Sequence, residues 1–200
     1  MINEILWVIL SYLVGSIPFS YILPHIKGVD VRRVGSGNVG GTNALRAAGP
    51  LIGFTSMFLD IAKSFVMVLL ARLMGFDVIF ILLSGIVAVI GHDYPVYMKF
   101  RGGKGVASTL GFILAINPFV ALGFLGIWLI LTFTTKYVSL ASMIGVGFAL
   151  VLSFLFGEVY FGFALLFLFI LGVYRHHENI NRLINGRENK MDLINMLRQK

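Results

Sequence analysis

Residues 106–135 read VASTLGFILAINPFVALGFLGIWLILTFTT. As one helix this stretch would rise about 45 Å, half as long again as the ~30 Å hydrocarbon core of a bilayer. Asn117-Pro118 interrupts it. Proline disfavours the α conformation in the residue before it, so the stretch reads as two apolar helices joined by a turn. That cut decides the fold, because it sets how often the chain crosses a membrane.

The composition leaves no alternative solvent for such helices. Of 200 residues, 58% are hydrophobic and 12% are charged, against about 25% charged in a soluble domain. The chain is an integral membrane protein. Apolar runs fall near 5–23, 51–74, 78–91, 106–116, 119–135, 138–157 and 159–174. A spanning helix takes about 20 residues and as few as about 17. The first run follows Met-Ile-Asn-Glu, with no basic n-region ahead of it, so it reads as a retained span. The absence of Cys excludes disulfides, thiolate nucleophiles, Cys-bound zinc and thiol redox chemistry.

The net charge of +7 is concentrated between the runs, in 25–50, 92–105 and 175–200. In a soluble chain this would suggest nucleic acid. Here it suits cytoplasmic loops under the positive-inside rule, and anionic substrates or head groups. With 92–105 and the tail both inside, an even number of crossings must separate them. The cut at Asn117-Pro118 gives four and also places Lys136 inside. The expectation is a polytopic all-α bundle of seven transmembrane helices, N-terminus out and C-terminus in. The 11-residue run 106–116 is a full or a half crossing, and Arg72 is the one basic residue expected on the outer side.

The polar loops carry the chemistry. The first contains Ser36-Gly37-Asn38-Val39-Gly40-Gly41-Thr42-Asn43 and then Arg46. Small residues let backbone N–H groups converge on an anion. Ser36, Asn38, Thr42 and Asn43 add neutral donors, and Arg46 offers a fork for phosphate oxygens. The second runs from Gly91-His92-Asp93-Tyr94-Pro95 to Gly102-Gly103-Lys104-Gly105 and an apolar helix. It aims N–H groups, a helix dipole and an ammonium at one point, again an anion site. The alternative for it is a cluster of Lys and Tyr snorkelling at head-group level. In the tail, His176, Asn179 and Arg182 or Leu183 share a helix face, with His177 beside them. Adjacent His residues point apart and no third ligand is evident, so a metal site is not expected. Asp60 and Lys63, at i, i+3 inside an apolar run, read as support beneath the site, since intramembrane charges face a bundle interior.

Three patterns are chance matches. Gly35-x-Gly37-x-x-Gly40 leads into a membrane span rather than a Rossmann unit. Gly102-Gly-Lys104-Gly lacks the P-loop ending. His25-x-x-x-x-Asp30 copies the signature of thioester-dependent acyltransferases but lies at the end of a span.

Three stretches together resemble a known family, the bacterial acyl-phosphate glycerol-3-phosphate acyltransferases (PlsY type). They are Ser36-Gly-Asn-Val-Gly-Gly-Thr-Asn43-x-x-Arg46, Gly91-His92-x-Tyr94-Pro95-x-Tyr97-x-x-Phe100-x-Gly102-Gly-Lys104-Gly105, and His176-x-x-Asn179-Ile-x-Arg182-Leu183-x-x-Gly186-x-Glu188. Gly15-Ser-Ile-Pro18-Phe and Asp60-x-x-Lys63 also fit; Tyr94 and Tyr97 stand where Phe is frequent. The resemblance implies one membrane acyltransferase domain over 1–200, in a bacterial plasma (inner) membrane, with its site on the cytoplasmic side. It implies transfer of a fatty acyl group from acyl phosphate to the 1-hydroxyl of sn-glycerol 3-phosphate, releasing 1-acylglycerol 3-phosphate and phosphate. Those two substrates and membrane lipid are the expected partners, with no nucleic acid, metal or cofactor. Lys104, His176, Asn179 and Ser36 become the catalytic candidates. Phosphate binding falls to Ser36, Gly37, Asn38, Gly40, Thr42, Asn43, Arg46, Gly102, Gly103, Lys104, Gly105 and Arg182, and support to His92, Asp60, Lys63 and His177. Spacing favours His176 over His177. The hydroxyl proton goes to a His or to the acyl phosphate's own oxygen. The competing reading is a small-anion transporter whose Gly-rich loops are re-entrant gates; no inverted repeat supports it.

Overall fold

A computed structural model describes residues 2–192, all helix, turn or irregular chain. The described residues fall into two compact units, divided between Ile116 and Asn117.

The first unit opens with α1 (Ile2–Gly15) and α2 (Phe19–Ile26), which together make one apolar stretch interrupted at Pro18. A 3-10 turn (Val31–Arg33) leads to the short α3 (Gly41–Ala48). Then come α4 (Pro50–Leu73), with Pro50 in its first turn, and α5 (Val78–Asp93). After a second 3-10 turn (Val96–Met98) the unit ends with α6 (Val106–Ile116). In the second unit, Asn117 caps α7 (Pro118–Thr135) by accepting from the N–H groups of Phe119 and Val120. It continues with α8 (Val138–Leu155), α9 (Val159–Arg175) and α10 (His177–Ile184). The break expected at Asn117-Pro118 is therefore a capped helix start, with proline where its missing N–H costs nothing.

Burial is inverted relative to a water-soluble domain. Asp60 and Lys63 are 0% and 4% exposed, whereas Leu73 and Phe119 are 74% and 73% exposed. Among the described residues, five helical stretches are long and apolar enough to cross a bilayer, and α9 with α10, bent by 60°, make a sixth if counted as one span. The expected apolar runs are helical, apart from the break at 16–18 inside the first. The run 106–116 matches α6 residue for residue, but at 11 residues it is too short for that test.

The register of α6 explains its length. Ser108 hydroxyl donates to the Asp60 carbonyl. A β-carbon at Gly111 would lie 2.0 Å from the Ile61 carbonyl oxygen. Arg72 donates to the carbonyls of Ala115 and Ile116. So α6 runs parallel to the second half of α4 only. It begins level with Asp60, about 15 Å along α4 from Pro50. Elsewhere in this unit small residues bring helix backbones together: a β-carbon at Gly15 would meet the Ala88 carbonyl at 2.2 Å, and one at Gly91 the Tyr12 carbonyl at 2.5 Å.

In the second unit, one end carries the Asn117 amide on the Glu158 carboxylate at 3.0 Å. Another set of contacts ties the tail to the α7–α8 turn. Lys136 ammonium meets Asp192 at 2.5 Å, Met191 N–H donates to the Lys136 carbonyl, and Ser139 donates to Glu188. Asn117 with Glu158, and Lys136 with the tail, thus join the chain at the two ends of α7, α8 and α9.

Candidate functional site

Two of the three motif loops belong to the first unit. In the first loop, Asn43 is 1% exposed and turned inward. Its amide donates towards the carbonyls of Val31, Val34 and Asn38, and its oxygen accepts from the Ser36 N–H. Gly37 N–H goes to the Val34 carbonyl. The expected nest of N–H groups at 36–37 is therefore spent within the loop, and Asn43 acts through loop shape rather than as a side-chain donor to phosphate. A buried amide satisfies its own polar atoms first. Ser36, Asn38, Thr42 and Arg46 are half-buried in the same loop, and Gly40 and Gly41 stand at the start of α3.

The second loop is held against the first: Met98 packs on the cluster of Val31, Val39 and Ala44. It closes on itself through two backbone bonds, Gly102 N–H to the Asp93 carbonyl and Gly103 N–H to the His92 carbonyl. The glycines at 102 and 103 are set by this packing. A β-carbon at Gly103 would lie 2.0 Å from His92 Nε2, and one at Gly102 2.2 Å from the His92 carbonyl oxygen. Gly105 has φ +71, and the Asp93 carboxylate oxygens lie 3.1 and 3.2 Å from where its β-carbon would be. The chain's own carboxylate thus stands at the entry to α6. The helix start expected to face a substrate phosphate has Asp93 beside it, and Lys104 in the same turn is half-buried.

Below that turn lies a buried polar cluster. Asp60 meets Lys63 at 2.8 Å and accepts from Ser20 at 2.6 Å. Lys63 also donates to the Ile17 carbonyl at 3.0 Å and lies 3.0 Å from His92 Nδ1, itself 3.4 Å from Asp60. The expected i, i+3 pair is present, and it has a third member, His92. Ser20 and the Ile17 carbonyl were not foreseen. Ile17 lies in the break between α1 and α2 at Pro18.

The third motif belongs to the second unit. The helix does not continue through it: His176 is the junction between α9 and α10. This corrects the expected single face. His176 is buried, and its Nδ1 lies 2.7 Å from the Gly172 carbonyl. A carbonyl accepts only, so Nδ1 carries the proton, and when the ring is neutral Nε2 is its acceptor. His177 is exposed and bonds the Tyr174 carbonyl instead. Asn179 and Arg182 both donate to Glu188, at 2.6 and 2.8 Å. Burial opposes the Glu188 charge, but hydrogen bonds from Asn179, Arg182 and Ser139 outweigh it and hold the carboxyl below its usual range. Glu188 was quoted in the motif without a role; it orients both neighbours.

The His25/Asp30 pattern is not a dyad. His25 stacks on Tyr21. Both Asp30 oxygens take hydrogen bonds from Arg32, which lower its carboxyl to about 2.

Three comparisons agree with this geometry. The family profile described as "Glycerol-3-phosphate acyltransferase" matches residues 5–186. The chain is 50% identical, over 99% of both chains, to "Glycerol-3-phosphate acyltransferase" of Pseudothermotoga lettingae. It is 46% identical, over 94% of this chain and 97% of the other, to "Glycerol-3-phosphate acyltransferase 2" of Thermotoga maritima. Among solved structures it resembles PlsY (YgiH), an integral membrane glycerol 3-phosphate acyltransferase, in its glycerol 3-phosphate form. The TM-score is 0.93 at 42% identity, over 98% of this chain and all of the other. The lysophosphatidic acid form of that enzyme matches with a TM-score of 0.91. The chain belongs to the glycerol-3-phosphate acyltransferase family.

Proposed function

We propose that this protein transfers a fatty acyl group from acyl phosphate to the 1-hydroxyl of sn-glycerol 3-phosphate, giving 1-acyl-sn-glycerol 3-phosphate and inorganic phosphate. The observation that carries the reading is its likeness, at 42% identity and a TM-score of 0.93, to an acyltransferase solved in glycerol 3-phosphate and lysophosphatidic acid forms. Family membership answers the transporter alternative. The profile match runs through both compact units, which supports treating 1–200 as one acyltransferase domain. The membrane is the bacterial plasma membrane, with seven crossings, the N-terminus out, and the motif loops and tail on the cytoplasmic side.

In this mechanism the acceptor hydroxyl oxygen attacks the acyl carbonyl carbon. The tetrahedral oxyanion collapses and the C–O bond to phosphate breaks. Acyl phosphate carries its own good leaving group, so no strong general acid is needed. Lys104 balances charge as it moves from the anhydride to free phosphate. Arg46, Ser36, Asn38 and Thr42 hold a phosphate at the first loop, and positioning of both substrates supplies much of the rate. The hydroxyl proton passes to His176 Nε2 or to an oxygen of the acyl phosphate. Within the second unit, Glu188 orients Asn179 and Arg182.

The test uses purified full-length protein and labelled glycerol 3-phosphate, with acyl phosphate and acyl-CoA offered separately. Label should enter lysophosphatidate with acyl phosphate alone. Turnover with acyl-CoA alone would overturn the donor assignment, and no turnover with either would overturn the function.

A further inference from the structure

Lys63 Nζ stands 3.0 Å from His92 Nδ1. An ammonium has donors and no acceptor, so this contact is a hydrogen bond only if Nδ1 carries no proton. The same Nζ is bound at 2.8 Å by Asp60, whose other oxygen is taken by Ser20 at 2.6 Å. It also donates to the Ile17 carbonyl. The ammonium is thereby fixed with one N–H on Nδ1. All these groups are buried: Ser20 1%, Asp60 0%, Lys63 4% and His92 7% exposed. The opposite end of the ring meets Gly103, with Nε2 where the β-carbon of any larger residue would stand. The Gly103 N–H donates to the His92 carbonyl, so ring and main chain of His92 both fix the same turn.

We infer that Ser20, Asp60 and Lys63 hold His92 as the neutral Nε2–H tautomer, and that its Nε2–H faces and sets the Gly102–Gly103–Lys104 turn. His92 and Lys63 are thus positioning residues for the loop that brings Lys104 to substrate. The ion pair lies inside α4, and the His92 ring carries its effect to the turn. An imidazolium, or an Nδ1–H ring turned to Asp60, would put two donors face to face at 3.0 Å and push the ring off Gly103. The consequence for Lys104 rests on the proposed function; the tautomer does not.

The experiment takes the full-length protein, with 15N-labelled histidine, in detergent. Long-range 1H–15N spectra separate the Nε2–H, Nδ1–H and doubly protonated rings, and His92→Gln identifies the His92 signals among the four histidines. Wild type should show the Nε2–H pattern for His92, and Lys63→Met should abolish it. An Nδ1–H or doubly protonated His92 in wild type, or a pattern unchanged in Lys63→Met, overturns the inference. In the acyl phosphate assay, His92→Gln keeps an N–H at the Nε2 position and should retain most of kcat. His92→Phe keeps the ring without it and should lose about a hundredfold. Equal losses in the two variants overturn the positioning role. Absent turnover in wild type would strike the proposed function and leave the tautomer result standing.

Discussion

The Arg72 guanidinium, at the end of α4, donates to the Ile116 carbonyl at 3.2 Å and also to the Ala115 carbonyl. A cation at a helix C-terminus satisfies orphan carbonyls and complements the dipole. The one basic residue on the expected outer side is therefore a cap for the short α6. Arg72→Leu should lower stability by about 1–3 kcal/mol, the cost of unpaired polar groups, seen as a lower melting temperature in detergent. An unchanged melt would mean that the carbonyls are served without it.

Asp60 and Lys63 predict a non-additive pair. Removing one partner of a buried ion pair typically costs about 3–5 kcal/mol, and removing both costs less than the two losses combined. Asp60→Asn and Lys63→Met should each melt well below wild type, with the double variant recovering part of the loss. Strict additivity in the melts would show that the two charges do not act as a unit.

Lys104 is half-buried beside Gly103 and Gly105, whereas Lys99 is exposed five residues earlier. Lys104→Ala should lower kcat about a hundred- to a thousandfold with the protein still folded in detergent, and Lys99→Ala should be mild. Arg46→Ala should act mainly through KM for one substrate. Equal, small effects at 99 and 104 would reduce the second loop to an interfacial charge cluster.

The two neighbouring histidines should separate. With Nδ1 tied to Gly172, a neutral His176 offers Nε2 as an acceptor. His176→Ala should cost about a hundred- to ten-thousandfold in kcat if it takes the hydroxyl proton, and the exposed His177→Ala should cost little. A mild His176→Ala would assign that proton to the acyl phosphate.

Sidedness is tested by single cysteines in a chain that has none of its own. Cys at Asn117 should label from outside and Cys at Lys136 from inside. Labelling from one face would sink the seven-crossing arrangement.

Much of this was legible in sequence because lipid demands long apolar runs. The seven runs are helical apart from residues 16–18, and the Asn117-Pro118 break lies where proline chemistry puts it. The depth of α6 was not legible, since it depends on which part of α4 it packs against. Side-chain orientation was the other blind spot. Asn43, Asn179 and Arg182 are all polar residues in a motif, yet they bond first to the protein: Asn43 to its loop, the other two to Glu188. Asp93 passed unnoticed because a carboxylate beside an anion loop looks like a misfit until Gly105 is seen beneath it.

The contacts of Glu188, Met191 and Asp192 with the α7–α8 turn also govern where the gene can be shortened. A stop codon ahead of Glu188 would look like trimming a polar tail. It would remove the acceptor shared by Asn179, Arg182 and Ser139, the hydrogen bond to the Lys136 carbonyl and the counter-charge of the Lys136 ammonium. Shortened expression versions, and any fusion partner joined at this end, must keep the chain intact through Asp192.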